Sequence, residues 1–119
     1  MNTSAKGHAG EEEAANFLTS KGYRILARNY RGRGGEIDII AQYKKTLVFV
    51  EVKARAYEAF GGPLLAVTPA KQHKVALTAA QFLKANAVKF DSIRFDVVCV
   101  LPQGITHIEG AFQPARTTY

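Results

Sequence analysis

The sequence predicts a single α/β domain, spanning residues 1–119, in which helices flank a mixed five-stranded sheet. A chain of 119 residues suffices for one hydrophobic core but not for two. Two stretches with helical periodicity and five apolar stretches of strand length follow in the order α-β-β-β-α-β-β. The third strand, the second helix and the fourth strand form a right-handed crossover, so these two strands should be parallel. The first three strands should form an antiparallel meander.

The composition indicates a basic protein with an anionic partner. The net charge is +6 at pH 7 and the pI is near 9.6. Between positions 14 and 57 the sequence has nine basic residues, whereas its only acidic residues there are Glu36, Asp38 and Glu51. A basic region of this kind fits a phosphodiester substrate, although an ordinary soluble surface would also account for the net charge.

The sequence also bears on the compartment. No hydrophobic stretch approaches the about 18 residues that a membrane span needs, and Glu11-Glu12-Glu13 stands where a signal peptide would be apolar. We therefore expect a cytoplasmic protein that does not contact membranes. Cys99 is the single cysteine and lies in an apolar run, which predicts a buried thiol without a disulfide role.

The first predicted helix covers residues 8–20 and ends at Gly22, a residue typical of the helix C-cap. Its apolar stripe includes Ala14 and Leu18, and Glu11 falls on that stripe, whereas Glu12 faces solvent. The helix dipole favours glutamate in a first turn, which explains Glu12 well. It explains Glu11 poorly, because Glu11 faces the core.

The first strand is predicted at residues 23–30, and a glycine-rich turn follows at residues 31–35. Arg31 and Arg33 lie on this turn. Beside an acidic site they would be phosphate contacts. Without such a site they would belong to an ordinary solvated turn.

The next two strands, at residues 35–41 and 46–55, form a predicted hairpin with charged residues in an unusual place. Alternation puts Glu51 and Lys53 on the face of the third strand that also carries Phe49. On the second strand, alternation groups Glu36, Asp38 and Ile40 on the face opposite to Ile37, Ile39 and Ala41. Antiparallel pairing then brings Asp38 beside Glu51 and Lys53.

These charges have two interpretations. An exposed cross-strand ion pair is the simpler one, and it would contribute roughly 0–1 kcal/mol. However, two carboxylates about 4 Å apart repel by about 4 kcal/mol at an effective dielectric constant near 20. A divalent cation removes that penalty, and clustered carboxylate oxygens are the ligands that Mg²⁺ prefers. The second interpretation is therefore a metal site at Asp38 and Glu51.

The rest of the chain completes the predicted domain. Residues 56–67 have no clear period and are predicted to form a loop at the rim of the site. Thr68-Pro69 is a strong helix start, and the second helix is predicted to end near residue 85. Lys71 in its first turn is either a phosphate contact or a solubilising charge, and His73 is expected at the surface. Two further strands are predicted at residues 93–101 and 105–109.

Asp38, followed after thirteen positions by Glu51 and then by Lys53, resembles the PD-(D/E)-x-K signature of restriction-endonuclease-like nucleases. This short pattern alone is weak. The strings that contain it, Gly-Glu-Ile-Asp-Ile-Ile-Ala at 35–41 and Val-Phe-Val-Glu-Val-Lys-Ala-Arg at 48–55, resemble the YraN-like uncharacterised protein family 0102. Members of that family are similar to archaeal Holliday junction resolvases.

The resemblance extends from residue 7 to residue 112. Gly7-x-x-x-Glu11-x-x-Ala14 resembles the family's N-terminal motif, in which the glutamate joins the active site. Lys71 resembles the family's lysine on the second helix, and Gln72 resembles the helix glutamine of RecB-type nucleases. Arg94-Phe95-Asp96 also resembles a family string, although this polar pair has a simpler interpretation as a bridge between strands.

This resemblance implies the restriction-endonuclease-like fold and a nuclease that depends on Mg²⁺ or Mn²⁺ and acts on DNA. Asp38 and Glu51 would hold the metal with the backbone carbonyl of Val52, and Glu11 would add a ligand or position a second ion. Lys53 would orient or deprotonate the attacking water and stabilise charge on the phosphorane. Glu36 would be an outer ligand.

The implied contacts to the phosphate backbone of DNA are Arg31, Arg33, Arg55 and Lys71. Similarity to junction resolvases implies a homodimer, because two strands must be cut. The alternatives are a non-catalytic nucleic-acid-binding module that retains the nuclease fold, and a structural adaptor for which the basic region is incidental. Carboxylates near a phosphate-binding surface argue against a pure binder.

Overall fold

The computed structural model describes residues 3–54 and 67–113, with the side chains of residues 3–9 left out of the description. Its elements are α1 (Thr3–Ser20), β1 (Arg24–Arg31), β2 (Glu36–Tyr43), β3 (Thr46–Lys53), α2 (Pro69–Ala85), β4 (Ser92–Leu101) and β5 (Gly104–Ile108). The predicted order of helices and strands is confirmed. The predicted rim loop and Arg55 lie outside the described residues.

The five strands of the described chain form one mixed sheet in the spatial order β1-β2-β3-β4-β5. The pairs β1–β2 and β2–β3 are antiparallel, β3–β4 is parallel, and β4–β5 is antiparallel. The predicted meander and the parallel crossover pair are therefore both confirmed. This α/β architecture agrees with the restriction-endonuclease-like fold.

The two helices pack on opposite faces of the sheet. On the α1 face, Ala14 and Leu18 pack against Val48 and Val50. On the α2 face, the core includes Phe49, and its other large members are Ile37, Ile40, Leu47, Val67, Val75, Phe82, Phe95, Val97, Cys99 and Phe112. β3 therefore alternates as its sequence predicts. No helix in the described ranges is long and apolar enough to span a membrane.

Both helices begin or end on residues that stabilise their termini. Thr68 caps α2, because its side-chain oxygen accepts the N–H of Lys71 at 3.2 Å, and Pro69 opens the first turn. Gly22 follows α1 with a φ of 94°, a left-handed conformation in which glycine carries no β-carbon penalty. α1 begins five residues earlier than its periodicity predicts, at Thr3.

The strand alternation predicted for β2 is wrong at one position. Ile39 and Ala41 line the α1 face as predicted, but Ile37 packs on the α2 face with Ile40. The pairing of β1 with β2 places Asn29 across from Asp38, and Asn29 has a φ of 51°. The alternation of β2 therefore breaks between Ile37 and Ile39, at Asp38.

The glycine-rich turn between β1 and β2 lies against α2. Gly32 donates its N–H to the carbonyl of Gly35 at 2.8 Å, and Arg33 donates its N–H to Oε1 of Gln81 at 2.9 Å. A β-carbon on Gly32 would lie only 2.0 Å from the same Gln81 oxygen. Glycine is therefore needed for this close approach, which holds the turn against the middle of α2.

A buried ionic network fixes the other end of the sheet on the α1 face. Asp96 is fully buried and accepts two hydrogen bonds from Arg94, at 2.8 and 2.9 Å. It also accepts one from Nε2 of His107 at 2.7 Å and one from the N–H of Gly110 at 2.9 Å. Burial alone would raise the pKa of Asp96, but these hydrogen bonds lower it on balance. The polar pair of the Arg94-Phe95-Asp96 string thus bridges β4 to β5 and to Gly110.

We predict that Asp96→Asn lowers the free energy of unfolding by about 3–5 kcal/mol, because Arg94 loses its buried carboxylate partner and keeps only the exposed Glu109. Urea unfolding at pH 7 measures this loss. Glu109→Gln is the matched control, since Glu109 is an exposed partner of Arg94 at 3.2 Å and should contribute at most about 1 kcal/mol. Equal losses in the two variants would contradict a central role for Asp96.

Candidate functional site

The candidate site begins where β2 and β3 stop pairing. Their regular ladder ends at Ile39 and Val50, and Asp38 and Glu51 would form the next pair. Instead, Oδ2 of Asp38 accepts the N–H of Val52 at 2.8 Å. A side-chain carboxylate thus takes the place of a backbone carbonyl, which fixes Asp38 beside the end of β3.

Glu51 and two lysines meet Asp38 at this point. The side chain of Glu51 is 7 % exposed, and its Oε2 lies 2.9 Å from Nζ of Lys71 in the first turn of α2. Lys53 is in hydrogen-bonding contact with Lys71. The structure thus brings Asp38, Glu51 and Lys53 together, as the sequence predicts, and it adds a direct ion pair with Lys71.

The two carboxyl groups disturb each other strongly. Burial and the neighbouring charge of Glu51 raise the pKa of Asp38 to about 8, while the N–H of Val52 acts in the opposite direction. The charge of Glu11 on α1 adds to the increase. Asp38 therefore carries a proton at neutral pH, so only part of the negative charge of this cluster is present.

The two lysines respond in opposite ways. Burial and the hydrogen bond to Lys71 lower the pKa of Lys53. For Lys71, burial acts downwards, but contact with Lys53 and the charge of Glu51 raise the pKa overall. The site therefore combines an amine that gives up its proton more readily with one that stays charged. A proton acceptor and a fixed cation are both useful for hydrolysis of a phosphate ester.

Glu11 approaches the same site from α1. Its Oε1 is buried and has no hydrogen-bond partner among the described residues. α1 lies close to the end of β3 here, since a β-carbon on Gly10 would be 2.7 Å from Cβ of Ala54. A buried carboxylate oxygen without a donor is costly unless a proton, a water molecule or a cation satisfies it.

A cavity of about 420 Å³ opens in front of these groups. Its walls are the glycine-rich turn with the start of β2 on one side and the first turns of α2 on the other. Asp38 and Glu51 lie at its base, and Lys71 and Lys74 line the α2 side. Lys74 was not predicted as a site residue, although its position three residues after Lys71 places both on one helix face.

Comparison with known proteins identifies the family. The sequence model described as Uncharacterised protein family UPF0102 matches residues 10–100. The chain belongs to this family. It is 45% identical over 117 residues to the UPF0102 protein of Trichlorobacter lovleyi, with 93% of this chain and 92% of the relative covered.

Two further relatives give the same result. The UPF0102 protein of a Sulfurihydrogenibium species is 43% identical over 112 residues, which cover 94% of this chain and 97% of the relative. The UPF0102 protein of Symbiobacterium thermophilum is 53% identical over 96 residues, which cover 81% of each chain. The family resemblance predicted from the two hairpin strings is therefore confirmed.

The other predicted residues of this UPF0102 member lie at the rim or elsewhere. Nε of Arg31 lies 2.8 Å from Oε2 of Glu36, so the predicted outer ligand is paired with a rim arginine. Arg33 is exposed on the turn. The side-chain amide of Gln72 donates a hydrogen bond to the carbonyl of Val67 at 3.0 Å, a contact that joins α2 to the residue just before its cap. His73 is exposed, as predicted.

A divalent cation fits the donor chemistry of the site. Within the described ranges no three Asp, Glu, His or Cys side chains form a ready-made metal site. However, the carboxyl oxygens of Asp38 and Glu51 are hard ligands, and the unsatisfied oxygen of Glu11 belongs to the same charge cluster. In the described state a proton on Asp38 and the ammonium group of Lys71 offset the negative charge that a cation would otherwise balance.

We predict that the metal-free protein loses stability as the pH rises from about 4 to about 8. The folded protein keeps a proton on Asp38 that the unfolded chain releases near pH 3.9. The contribution of this group to the free energy of unfolding therefore falls by up to about 1.4 kcal/mol per pH unit.

Asp38→Asn should remove this slope, so that the variant is more stable than the wild type at pH 8 and similar to it near pH 4. Thermal unfolding in EDTA at several pH values tests the prediction. Glu13→Gln, an exposed change on α1, is the control and should keep the wild-type profile. Parallel pH profiles for Asp38→Asn and the wild type would show that Asp38 is not protonated in the fold.

Proposed function

We propose that this UPF0102 protein is a nuclease that depends on Mg²⁺ or Mn²⁺ and hydrolyses phosphodiester bonds in DNA. The observation that carries the proposal is the meeting of Asp38 and Glu51 at the base of one cavity, where the strands of the hairpin separate, with Lys53 close to both carboxyl groups. Resemblance to the PD-(D/E)-x-K nucleases and to junction resolvases supports the choice of reaction and substrate. Such an activity agrees with the cytoplasmic location that the sequence predicts.

The carboxylates of Asp38 and Glu51 would hold the cation together with the carbonyl of Val52, and Glu11 would add a further oxygen. When bound, the cation would lower the pKa of a water molecule and stabilise negative charge on the phosphate. To act as ligands, Asp38 would have to lose its proton to solvent and Glu51 would have to separate from Lys71. Both steps remove positive charge from the carboxylates before they act as ligands.

Lys53 is the candidate proton acceptor for the attacking water. Its lowered pKa favours a neutral amine, which can take a proton and then carry positive charge beside the phosphate. Lys71 keeps its charge, and after release from Glu51 its ammonium group can bind a phosphate oxygen. The two lysines would thus have different roles in spite of their contact.

The remaining basic residues suit the backbone of the substrate. Arg31 and Arg33 lie on the turn that forms one wall of the cavity region, and Lys74 lies on the other. Contacts to phosphates fix the position of a nucleic acid but do not read its sequence. We therefore propose cleavage with little sequence preference.

A non-catalytic nucleic-acid-binding module is the second candidate. The ion pair between Lys71 and Glu51 favours it, because this pair balances Glu51 without a cation. In that case the cluster would be a structural remnant, and the basic surface alone would bind DNA. Metal binding and DNA cleavage separate the two candidates.

We expect Glu51→Gln to abolish Mn²⁺ binding in calorimetry and to abolish nicking of supercoiled plasmid DNA. Lys53→Ala should keep Mn²⁺ binding but lower the nicking rate by about 10²–10⁴-fold, the usual contribution of a general acid or base. Glu109→Gln, an exposed carboxylate at the other end of the sheet, is the control and should retain both activities. A Glu51→Gln variant that nicks DNA as fast as the wild type would contradict the proposed nuclease activity at this site. Plasmid binding without nicking in Mg²⁺ or Mn²⁺ would establish the binding module.

We also propose a homodimer, because junction resolvases need two opposed sites to cut two strands. Sedimentation at micromolar protein concentration should show twice the monomer mass for the protein alone, and two protein chains per complex when a four-way DNA junction is added. A monomer under both conditions would exclude a resolvase and leave a single-strand nicking enzyme.

A further inference from the structure

A second cleft continues from the candidate site along α2. Its volume is about 730 Å³, within the range of roughly 300–1,000 Å³ that is usual for small-ligand sites. Gly32 and Arg33 of the glycine-rich turn line one side, and Gln81 and Lys84 of α2 line the other. The first cavity is lined by Gly34 and Gly35 of the same turn and by earlier turns of α2. The two cavities therefore follow one another between the same two elements.

All the charged side chains that line this second cleft are positive. Arg31, Arg33 and Lys84 line it, and its lining contains no acidic residue among those described. The nearest acidic group on the turn side is Glu36, which is paired with Arg31 at 2.8 Å. α2 itself contains no Asp or Glu from Pro69 to Ala85. Glu36 compensates the charge of Arg31, but an anion in the cleft would still meet the positive charges of Arg33 and Lys84, for which the described lining has no acidic partner.

The cleft also offers the apolar and aromatic surface that nucleic-acid bases require. Tyr30 lines it, and the ring of Tyr30 is fixed edge-on against Phe82, with the ring centres 5.2 Å apart. Leu77 is one of two large apolar side chains of the described chain that are clearly exposed, at 37 %. It lies against Gly34, which lines the first cavity next to this cleft. A basic groove with an aromatic side chain is the usual design of sites that bind single strands without sequence preference.

We propose that this second cleft binds a nucleotide of a single DNA strand whose scissile phosphate lies at Asp38 and Glu51. The proposal rests on the proposed function only for the identity of the first cavity as the cleavage site. Lys71 and Lys84 are thirteen residues apart on α2, which corresponds to about 20 Å at about 1.5 Å per residue. A stacked strand spaces its phosphates about 3.4 Å apart, so at most about six nucleotides separate the two positions. The substrate would thus carry a single-stranded flank next to the cleavage point.

Gln81 gives the cleft its fixed shape. Its Oε1 accepts the N–H of Arg33 at 2.9 Å, and only a glycine at position 32 allows this contact. The turn and α2 are therefore held at one separation without a bound ligand. A site that is formed in advance avoids the cost of ordering a loop when it binds.

The test uses fluorescein-labelled oligothymidylates of three and eight nucleotides, bound to the full chain in EDTA. Without metal there is no cleavage, so the readout does not depend on the proposed reaction. We expect the eight-nucleotide probe to bind at least tenfold more tightly than the three-nucleotide probe. The double variant Arg33→Ala/Lys84→Ala should remove this preference. It should also reduce the slope of log K against log salt by about 1.4, since each lost phosphate contact on a single strand accounts for about 0.7.

The matched control is Lys45→Ala/Lys89→Ala, which removes two exposed positive charges that do not line the cleft. Lys45 lies in the turn between β2 and β3, and the backbone of Lys89 contacts Gln42 near that turn. It should leave the length preference and the salt slope unchanged. Equal effects of the two double variants would show that only net charge matters and would overturn the second cleft. If Arg33→Ala/Lys84→Ala lost as much affinity for an eight-base-pair duplex as for the eight-nucleotide single strand, the single-strand assignment would be overturned.

Amide NMR provides an independent measurement on the same samples. Addition of the eight-nucleotide probe should shift the amides of Gly32 and Arg33 and the side-chain amide of Gln81. Shifts confined to the residues around Lys71 would overturn the second cleft while leaving the first site intact. If these shifts appear but the protein never nicks DNA, the second cleft is supported and the proposed nuclease activity is contradicted.

Discussion

The repulsion between two carboxyl groups, Asp38 and Glu51, governs the structure of the whole site. They lie where two central strands separate, and one of them is almost fully buried. Three groups offset their charge: the N–H of Val52, the ammonium group of Lys71 and the proton that Asp38 retains because burial and Glu51 raise its pKa to about 8. Each comes from a different source, namely the β3 backbone, α2 and solvent. The charge balance of Asp38 and Glu51 therefore depends on the position of α2 as well as on the hairpin of β2 and β3.

The surrounding fold keeps these elements in place. α1 carries Glu11 to the end of β3, and close contact between Gly10 and Ala54 sets this approach. The bond between Gln81 and the glycine-rich turn sets the separation of the turn from α2. At the opposite side of the sheet, the buried network around Asp96 joins β4, β5 and Gly110. Rigid contacts thus surround a site whose charges are not fully satisfied, as expected of functional sites.

The sequence predicts the fold and the centre of the site because both follow from local pattern. The alternation along β3 assigns Glu51 to the α2 face from its neighbours alone, and the thirteen-residue step from Asp38 follows from a short hairpin. The face of Ile37 could not be predicted, because the alternation of β2 breaks at Asp38, opposite the left-handed Asn29 of β1. The ion pair of Lys71 with Glu51 requires the packing of α2 on the sheet. The partner of Asp96 also lay beyond prediction, since His107 is eleven residues away on another strand.

The buried carboxyl groups lower the stability of the fold, and this loss of stability bears on the function of the site. A module that only binds DNA gains nothing from burying Glu51 beside a protonated Asp38, because acidic groups repel phosphate. Replacing this pair with apolar residues would make the protein more stable without loss of the basic turn or of α2. The unsatisfied oxygen of Glu11 adds to the same cost. In the proposed function, a cation bound by Asp38 and Glu51 would take the place of the proton on Asp38 and of the ammonium group of Lys71, which offset the negative charge in the described structure. Lys71 would then be released towards the substrate.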